Sequence, residues 1–133
     1  MICVDSDFII DFLKGRTSAV AVAEQHRTEL ITTEINRFEV LFGIFMNRAK
    51  GKITESHASA AREFFDSIDV LPFNQGCGEA AAHLLTNLAK GGAMINQNDV
   101  LVAAILSRNG CSKIVTRNAK DFMKTRGITV VAY

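Results

Sequence analysis

MICVDSDFIIDF, residues 1 to 12, decides how the rest of the chain is read: an apolar run, Ile2 to Val4, stops at Asp5, Ser6 and Asp7, and apolar residues then resume around Asp11. Three consecutive apolar residues bounded by polar ones form a short buried strand. The following SDFIIDFLKG has helical spacing, with Ser6 as its expected cap and Gly15 as its stop. A strand that passes directly into a helix is the opening of a parallel α/β arrangement, and it places Asp5 at the strand's carboxyl end.

The pattern repeats outward from there. LITT (30–33) is a second strand, and Thr33 caps the helix EINRFEVLFGIFMNRAKG, whose apolar positions 35, 38, 41, 42 and 45 share one face. Residues 18–26 and ESHASAAREFFDSI (55–68) are further helices, and DVLPF (69–73) is a third strand. GEAAAHLLTNLAKGG (78–92) and NDVLVAAILSRNG (98–110) are helices closed at glycines. KIV (113–115) is a fourth strand, AKDFMK a short helix, and ITVVA (128–132) a last strand. The fold expected is a single α/β domain spanning 1–133, with a central parallel sheet of four to five short strands and helices on both faces. Ligands in such sheets sit beyond the carboxyl ends of the strands, where strand order reverses. Asp5, the Thr33 helix start and the Thr116-Arg117-Asn118 triplet all follow strands, so they should gather at one edge.

Composition narrows the function classes. With 133 residues, 48% of them hydrophobic, the chain can bury one core but not two ordinary ones. No apolar run reaches eighteen residues and no basic-then-apolar leader opens the chain, so a soluble, cytoplasmic protein without a membrane partner is expected. Cys3, Cys77 and Cys111 are odd in number and lack CxxC spacing, which argues for small buried hydrophobes over disulfides or zinc ligands. His26, His57 and His83 likewise show no ligand spacing. Net charge is +1, but Arg108, Lys113, Arg117, Lys120, Lys124 and Arg126 stand against Asp121 alone in their segment. By itself this is a solvated basic face.

The acids carry the chemistry. Asp5 ends a strand, although helix capping explains it too. Asp7 suits the helix dipole, and Asp11 a salt bridge or solvent. Glu39 lies mid-helix with Gly43 one turn on. Because glycine inside a helix costs about 1 kcal/mol relative to alanine, Gly43 predicts a close approach beside Glu39. Glu34 is explained by the dipole. Asp99, three residues after Asn96, fits a capping arrangement, and Asn118 is a candidate cap for the helix containing Asp121. Each signal alone is weak, but the ordered set is specific. Two carboxylates about 4 Å apart repel by roughly 4 kcal/mol at an effective dielectric near 20. A cation relieves that repulsion, and an all-oxygen donor set suits Mg²⁺ or Mn²⁺.

VDSDFIIDFL with Asp5, ITTEINRFEVLFG with Glu39, NDVLVAAIL with Asp99, and IVTRNAKDF with Thr116 and Asn118 occur in that order along the whole chain. In this it resembles the PIN-domain ribonucleases, and among them the VapC-type toxins of toxin–antitoxin pairs. The resemblance implies Mg²⁺- or Mn²⁺-dependent endonucleolytic cleavage of RNA, with Asp5, Glu39 and Asp99 as metal ligands and Thr116 and Asn118 orienting a water or a phosphate oxygen. The family pattern often has a fourth acid where this chain has Asn118, which bears on a second metal. Arg108, Lys113, Arg117 and Lys120 become candidate RNA contacts, since an acidic pocket accepts a polyanion only if cations flank it. It further implies a small VapB-like antitoxin as partner and a homodimer or hetero-oligomer, with exposed apolar helix surface around EFFDSI as a place for it.

The alternatives are a PIN scaffold that binds RNA or protein without cleaving, and a housekeeping RNA-processing nuclease. A haloacid-dehalogenase-type DxD reading fails on Ile9, where that motif wants Thr or Val. A phosphorelay receiver fails because no phosphoacceptor Asp follows a middle strand.

Overall fold

A computed structural model describes residues 1–133. Five strands, β1 (Ile2–Val4), β2 (Leu30–Thr33), β3 (Asp69–Leu71), β4 (Lys113–Val115) and β5 (Thr129–Val131), form one parallel sheet in the order β3-β2-β1-β4-β5. Between them run α1 (Ser6–Leu13), α2 (Thr17–Gln25), α3 (Glu34–Ala49), α4 (Glu55–Ser67), α5 (Cys77–Lys90), α6 (Gln97–Arg108) and α7 (Ala119–Phe122). No helix is long and apolar enough to cross a membrane.

Alternation along the central strand divides the interior in two. Ile2 and Val4 face a core built with Phe8 and Ile9 of α1, Ala19 of α2, Val40 of α3, and Ala61, Phe64 and Phe65 of α4. Cys3 points the other way, into a core with Val102, Ala103 and Leu106 of α6 and Phe122 of α7. A smaller cluster joins α5 to α6 through Ala81, Leu88, Val100 and Ala104. The sheet is therefore covered on both faces, as the continuous apolar strands require. All three cysteines are buried and unpaired, as small hydrophobes.

Three features differ from expectation for local reasons. β3 ends at Leu71, because Pro72 has no N–H to give to the ladder. The exposed apolar surface is not around EFFDSI: Phe64 and Phe65 are core residues. It lies on α3, where Phe38 and Phe42 are 60% and 57% exposed and stack on each other at 5.9 Å, with Phe45 and Met46 continuing the stripe. Gly43 has no close neighbour either. A side chain there would meet nothing within 4 Å, and the residue borders an apolar groove between α1, α3 and α4 lined by Ile10, Leu13, Val40 and Ile44.

Strand order reverses at β1, whose neighbours β2 and β4 lead to opposite halves of the sheet. The crevice beyond the carboxyl ends of β1 and β4 is the position where open parallel sheets bind ligands.

Candidate active site

Asp5 stands at that crevice. Its N–H donates to the Val115 carbonyl at 3.2 Å, which ties it to the end of β4, and its Oδ1 accepts the Phe8 N–H at 2.9 Å. Asp5 is thus the N-cap of α1, a role expected of Ser6. Displaced from the cap, Ser6 occupies the first helical position and donates its hydroxyl to Glu39 Oε1 at 2.8 Å. Thr33 caps α3 as expected, accepting the Asn36 N–H at 3.2 Å. Its hydroxyl donates to Asn36 Oδ1 at 2.7 Å, and Asn36 in turn donates to the Ser6 hydroxyl at 3.2 Å. That chain fixes Ser6, and Ser6 fixes Glu39.

The second half of the site comes from α6 and the segment after β4. Asn96 caps α6 by accepting the Asn98 N–H at 2.8 Å, so Asn98 and Asp99 lie in the first turn. The Asn98 side chain donates to Glu39 Oε2 at 3.3 Å, which leaves both Glu39 oxygens oriented from different helices. Asp99 does not close a capping box with Asn96. Its Oδ2 accepts from Asn118 Nδ2 at 2.8 Å. The same amide nitrogen donates to Asp121 Oδ2 at 3.1 Å, and the Asn118 N–H donates to the Thr116 hydroxyl at 2.8 Å. Asn118 occupies the N-cap position of α7 without capping it; the side chain bridges two acids instead.

Electrostatics follow from this crowding. Burial pushes Asp5 up to about 6, against the pull of hydrogen bonds from Thr116 and the Phe8 N–H, while the charges of Asp7 and Asp99 raise it further. Asp99 is pushed up to about 6 by burial first and then by Glu39 and Asp121, with Asn118 holding it down. No ion pair in the chain involves Asp5, Glu39 or Asp99. The amino ends of α1 and α6 supply partial positive charge, a fraction of what three carboxylates need. The donor set is all oxygen and lacks a counter-charge, which fits a hard divalent cation. As the side chains stand, no three of them converge on a single point, so binding requires the carboxylates to turn from their present partners.

Of the residues singled out in the sequence, Asp5, Glu39, Asp99, Thr116 and Asn118 are brought to this one edge. The basic segment is divided between the two ends of the sheet. Arg108 closes α6, nine residues and about 13 Å of helix from Asp99, with its guanidinium against Gly76. Lys113 opens β4 at the end away from the crevice. Arg117 and Lys120 follow β4 on the correct side, and Arg117 pairs with Asp11 at 3.4 Å. Lys124 pairs with Asp121 at 3.7 Å. Ser6, Asn36 and Asn98 were not anticipated. Their signal is position: Ser6 and Asn98 each sit beside an acid in the first turn of a helix already capped by another residue.

Solved structures share this fold. The chain superposes on the Rickettsia felis VapBC2 structure bound to a promoter DNA fragment with a TM-score of 0.85, at 21% identity over 100% of this chain and 99% of that one. For the DNA-bound VapBC of Salmonella typhimurium the values are 0.84 and 17%, over 99% and 98%. VapBC-1 of nontypeable Haemophilus influenzae gives 0.80 and 22%, over 99% and 98%. At these identities the likeness establishes the fold. No curated protein sequence matches the chain. Residues 2–128, nearly its whole length, match the PIN domain, and the acids that close β1, enter from α3 and open α6 are held where that sheet's order reverses: the chain belongs to the PIN domain family.

Proposed function

We propose that the protein is a divalent-metal-dependent endoribonuclease and the toxin of a toxin–antitoxin pair. One observation carries the reading: carboxylates from the end of β1, from α3 and from α6 share one edge of a PIN domain, with burial and mutual repulsion raising two of them and no basic side chain neutralising any. Asp5, Glu39 and Asp99 would hold Mg²⁺ or Mn²⁺. Such an ion, when bound, lowers the pKa of a water and stabilises charge on the phosphate. Ser6 and Asn98 set the rotamer of Glu39, and the Thr116 hydroxyl and Asn118 amide orient Asp5 and Asp99 and offer donors to a phosphate oxygen. Arg117 and Lys120 are the cations on the site's side of the sheet; Arg108 and Lys113, at the other end, serve RNA only along a longer path. Single-stranded RNA suits a narrow crevice, because its backbone bends into it.

The relatives solved as VapBC complexes support a small antitoxin partner. In this chain the exposed aromatic stripe of α3 and the adjoining groove supply apolar surface for a partner or a second copy to bury. A cytoplasmic location follows from an RNA substrate.

The test is cleavage of single-stranded RNA by the purified chain with Mg²⁺ or Mn²⁺, compared with Asp5→Asn. Metal-dependent cutting lost in the variant supports the reading. RNA that binds equally to both proteins and is never cut would replace it with the non-cleaving scaffold. Co-expression with the neighbouring small open reading frame, read as growth and co-purification, separates a toxin from a processing nuclease.

A further inference from the structure

Asp11 is a buried carboxylate, 3% exposed, that the proposed chemistry does not use. It lies on α1, two turns beyond Asp5, and three side chains from separate parts of the chain converge on it. Arg16 Nε meets Oδ1 at 3.0 Å. On Oδ2 the Tyr133 hydroxyl donates at 2.9 Å and Arg117 Nη2 approaches to 3.4 Å. The Tyr133 ring stands edge-on to Phe8 at 5.0 Å, which places its hydroxyl. Arg117 is held between two residues that touch the acids. The Thr116 side chain lies beside the Asp5 carboxylate and accepts the Asn118 N–H at 2.8 Å, and Asn118 donates to Asp99. Three consecutive residues therefore engage three different carboxylates, and the middle engagement alone is an ion pair.

We infer that Asp11 is a positioning residue: through Arg117, and through Tyr133, which the pairing of Val131 with Val115 runs alongside Arg117 onto the same oxygen, it pins the 116–118 segment to α1 and so sets where Thr116 and Asn118 meet Asp5 and Asp99. The geometry makes this a one-sided clamp. Arg16 neutralises the opposite oxygen and belongs to the turn after α1, so it makes no connection to the segment. A purely structural ion pair predicts that all three partners matter alike. A clamp predicts that only the two on Oδ2 move the site. The inference rests on the site assigned above, but it concerns the free chain and is measured first without metal.

The experiment uses the full chain and four proteins: wild type, Asp11→Asn, Tyr133→Phe and Arg16→Gln. The first readout is the side-chain amide resonance of Asn118 in the metal-free protein. Asp11→Asn and Tyr133→Phe are expected to displace it, and Arg16→Gln to leave it in place. The second is Mn²⁺ affinity by electron paramagnetic resonance of the free ion. The dissociation constant is expected to rise about tenfold in Asp11→Asn, the scale seen when a residue behind a metal ligand is lost, and to stay within twofold in Arg16→Gln. Tyr133→Phe keeps the Phe8 contact, and so serves if Asp11→Asn fails to fold. Variants that melt lower yet keep the wild-type Asn118 resonance would reduce Asp11 to a structural ion pair. Equal displacement by Arg16→Gln would also overturn the clamp. If wild type binds no Mn²⁺ and cuts no RNA, the nuclease reading falls, and the amide comparison still decides the clamp.

Discussion

Removing the Asp5 charge from the metal-free protein should stabilise it at neutral and alkaline pH. The folded chain holds Asp5 at about 6, against 3.8 for the free carboxyl, chiefly because of burial. A raised carboxyl binds its proton more tightly folded than unfolded, so its stabilising contribution is complete below about pH 4 and is lost as pH rises through 6. The difference of about 2 units corresponds to roughly 3 kcal/mol of penalty on the charged form at pH 8. Asp5→Asn removes that penalty and keeps the Oδ1 acceptor for the Phe8 N–H, since Asn caps helices as well as Asp. Some of the gain is returned where the new amide faces the Thr116 hydroxyl, which leaves about 1–2 kcal/mol. For a chain of this size that is a rise in Tm of roughly 3–8 °C at pH 8. The same comparison at pH 4 should show almost none. Differential scanning calorimetry in EDTA at both pH values is the assay. A variant that melts lower at pH 8, or shifts equally at both pH values, would refute the idea that burial of charge governs this site.

Mn²⁺ at a hundredfold excess over its dissociation constant should stabilise wild type by about 2.7 kcal/mol by mass action, and an Asp99→Asn shift of equal size would place the ion elsewhere. Asn118→Asp exchanges a donor shared by Asp99 and Asp121 for a further negative charge; it should melt lower than wild type without metal and bind a second ion more tightly, both readable by calorimetry. Ser6→Ala deletes the 2.8 Å bond to Glu39 and should cost about 1 kcal/mol of stability by urea titration, with metal affinity falling roughly tenfold. Tyr133 is the sole tyrosine in a chain without tryptophan, and burial followed by the Asp11 carboxylate raises its hydroxyl; its ultraviolet titration should end above the ordinary value of 10 and move back down in Asp11→Asn.

The strands were legible because each is a short apolar run closed by a polar residue, and the parallel sheet followed from helices placed between them. Asp5 and Thr116 were legible for the same reason, since both are fixed by where their strands stop. What escaped was anything decided by side-chain competition across space. Asp5 and Ser6 both cap well, and only the approach of Asn36 and Glu39 from α3 determines that the serine turns toward that helix. The basic segment appeared continuous in sequence, yet a helix and a strand carry Arg108 and Lys113 away from the acids. Gly43 was misread because a glycine beside open space and one beside a close neighbour look alike in a sequence.

The middle strand of the sheet is the first to be made and the last to be completed. Cys3 aligns with Ile31 on one side and with Ile114 on the other, so one flank of β1 waits for residues more than a hundred positions later. Asp5 waits too, since its N–H partner is Val115 and its carboxylate is steadied by Thr116. At about 5–20 residues per second, ribosomes need roughly 6 to 20 s to travel from Asp5 to Thr116. During that interval the acids exist as separate side chains on an unfinished sheet, and the assembled edge does not. On the nuclease reading proposed above, a growing polypeptide would have no assembled site until Thr116 is made, and an inhibitor translated alongside it would have that interval in which to be present when the edge first closes.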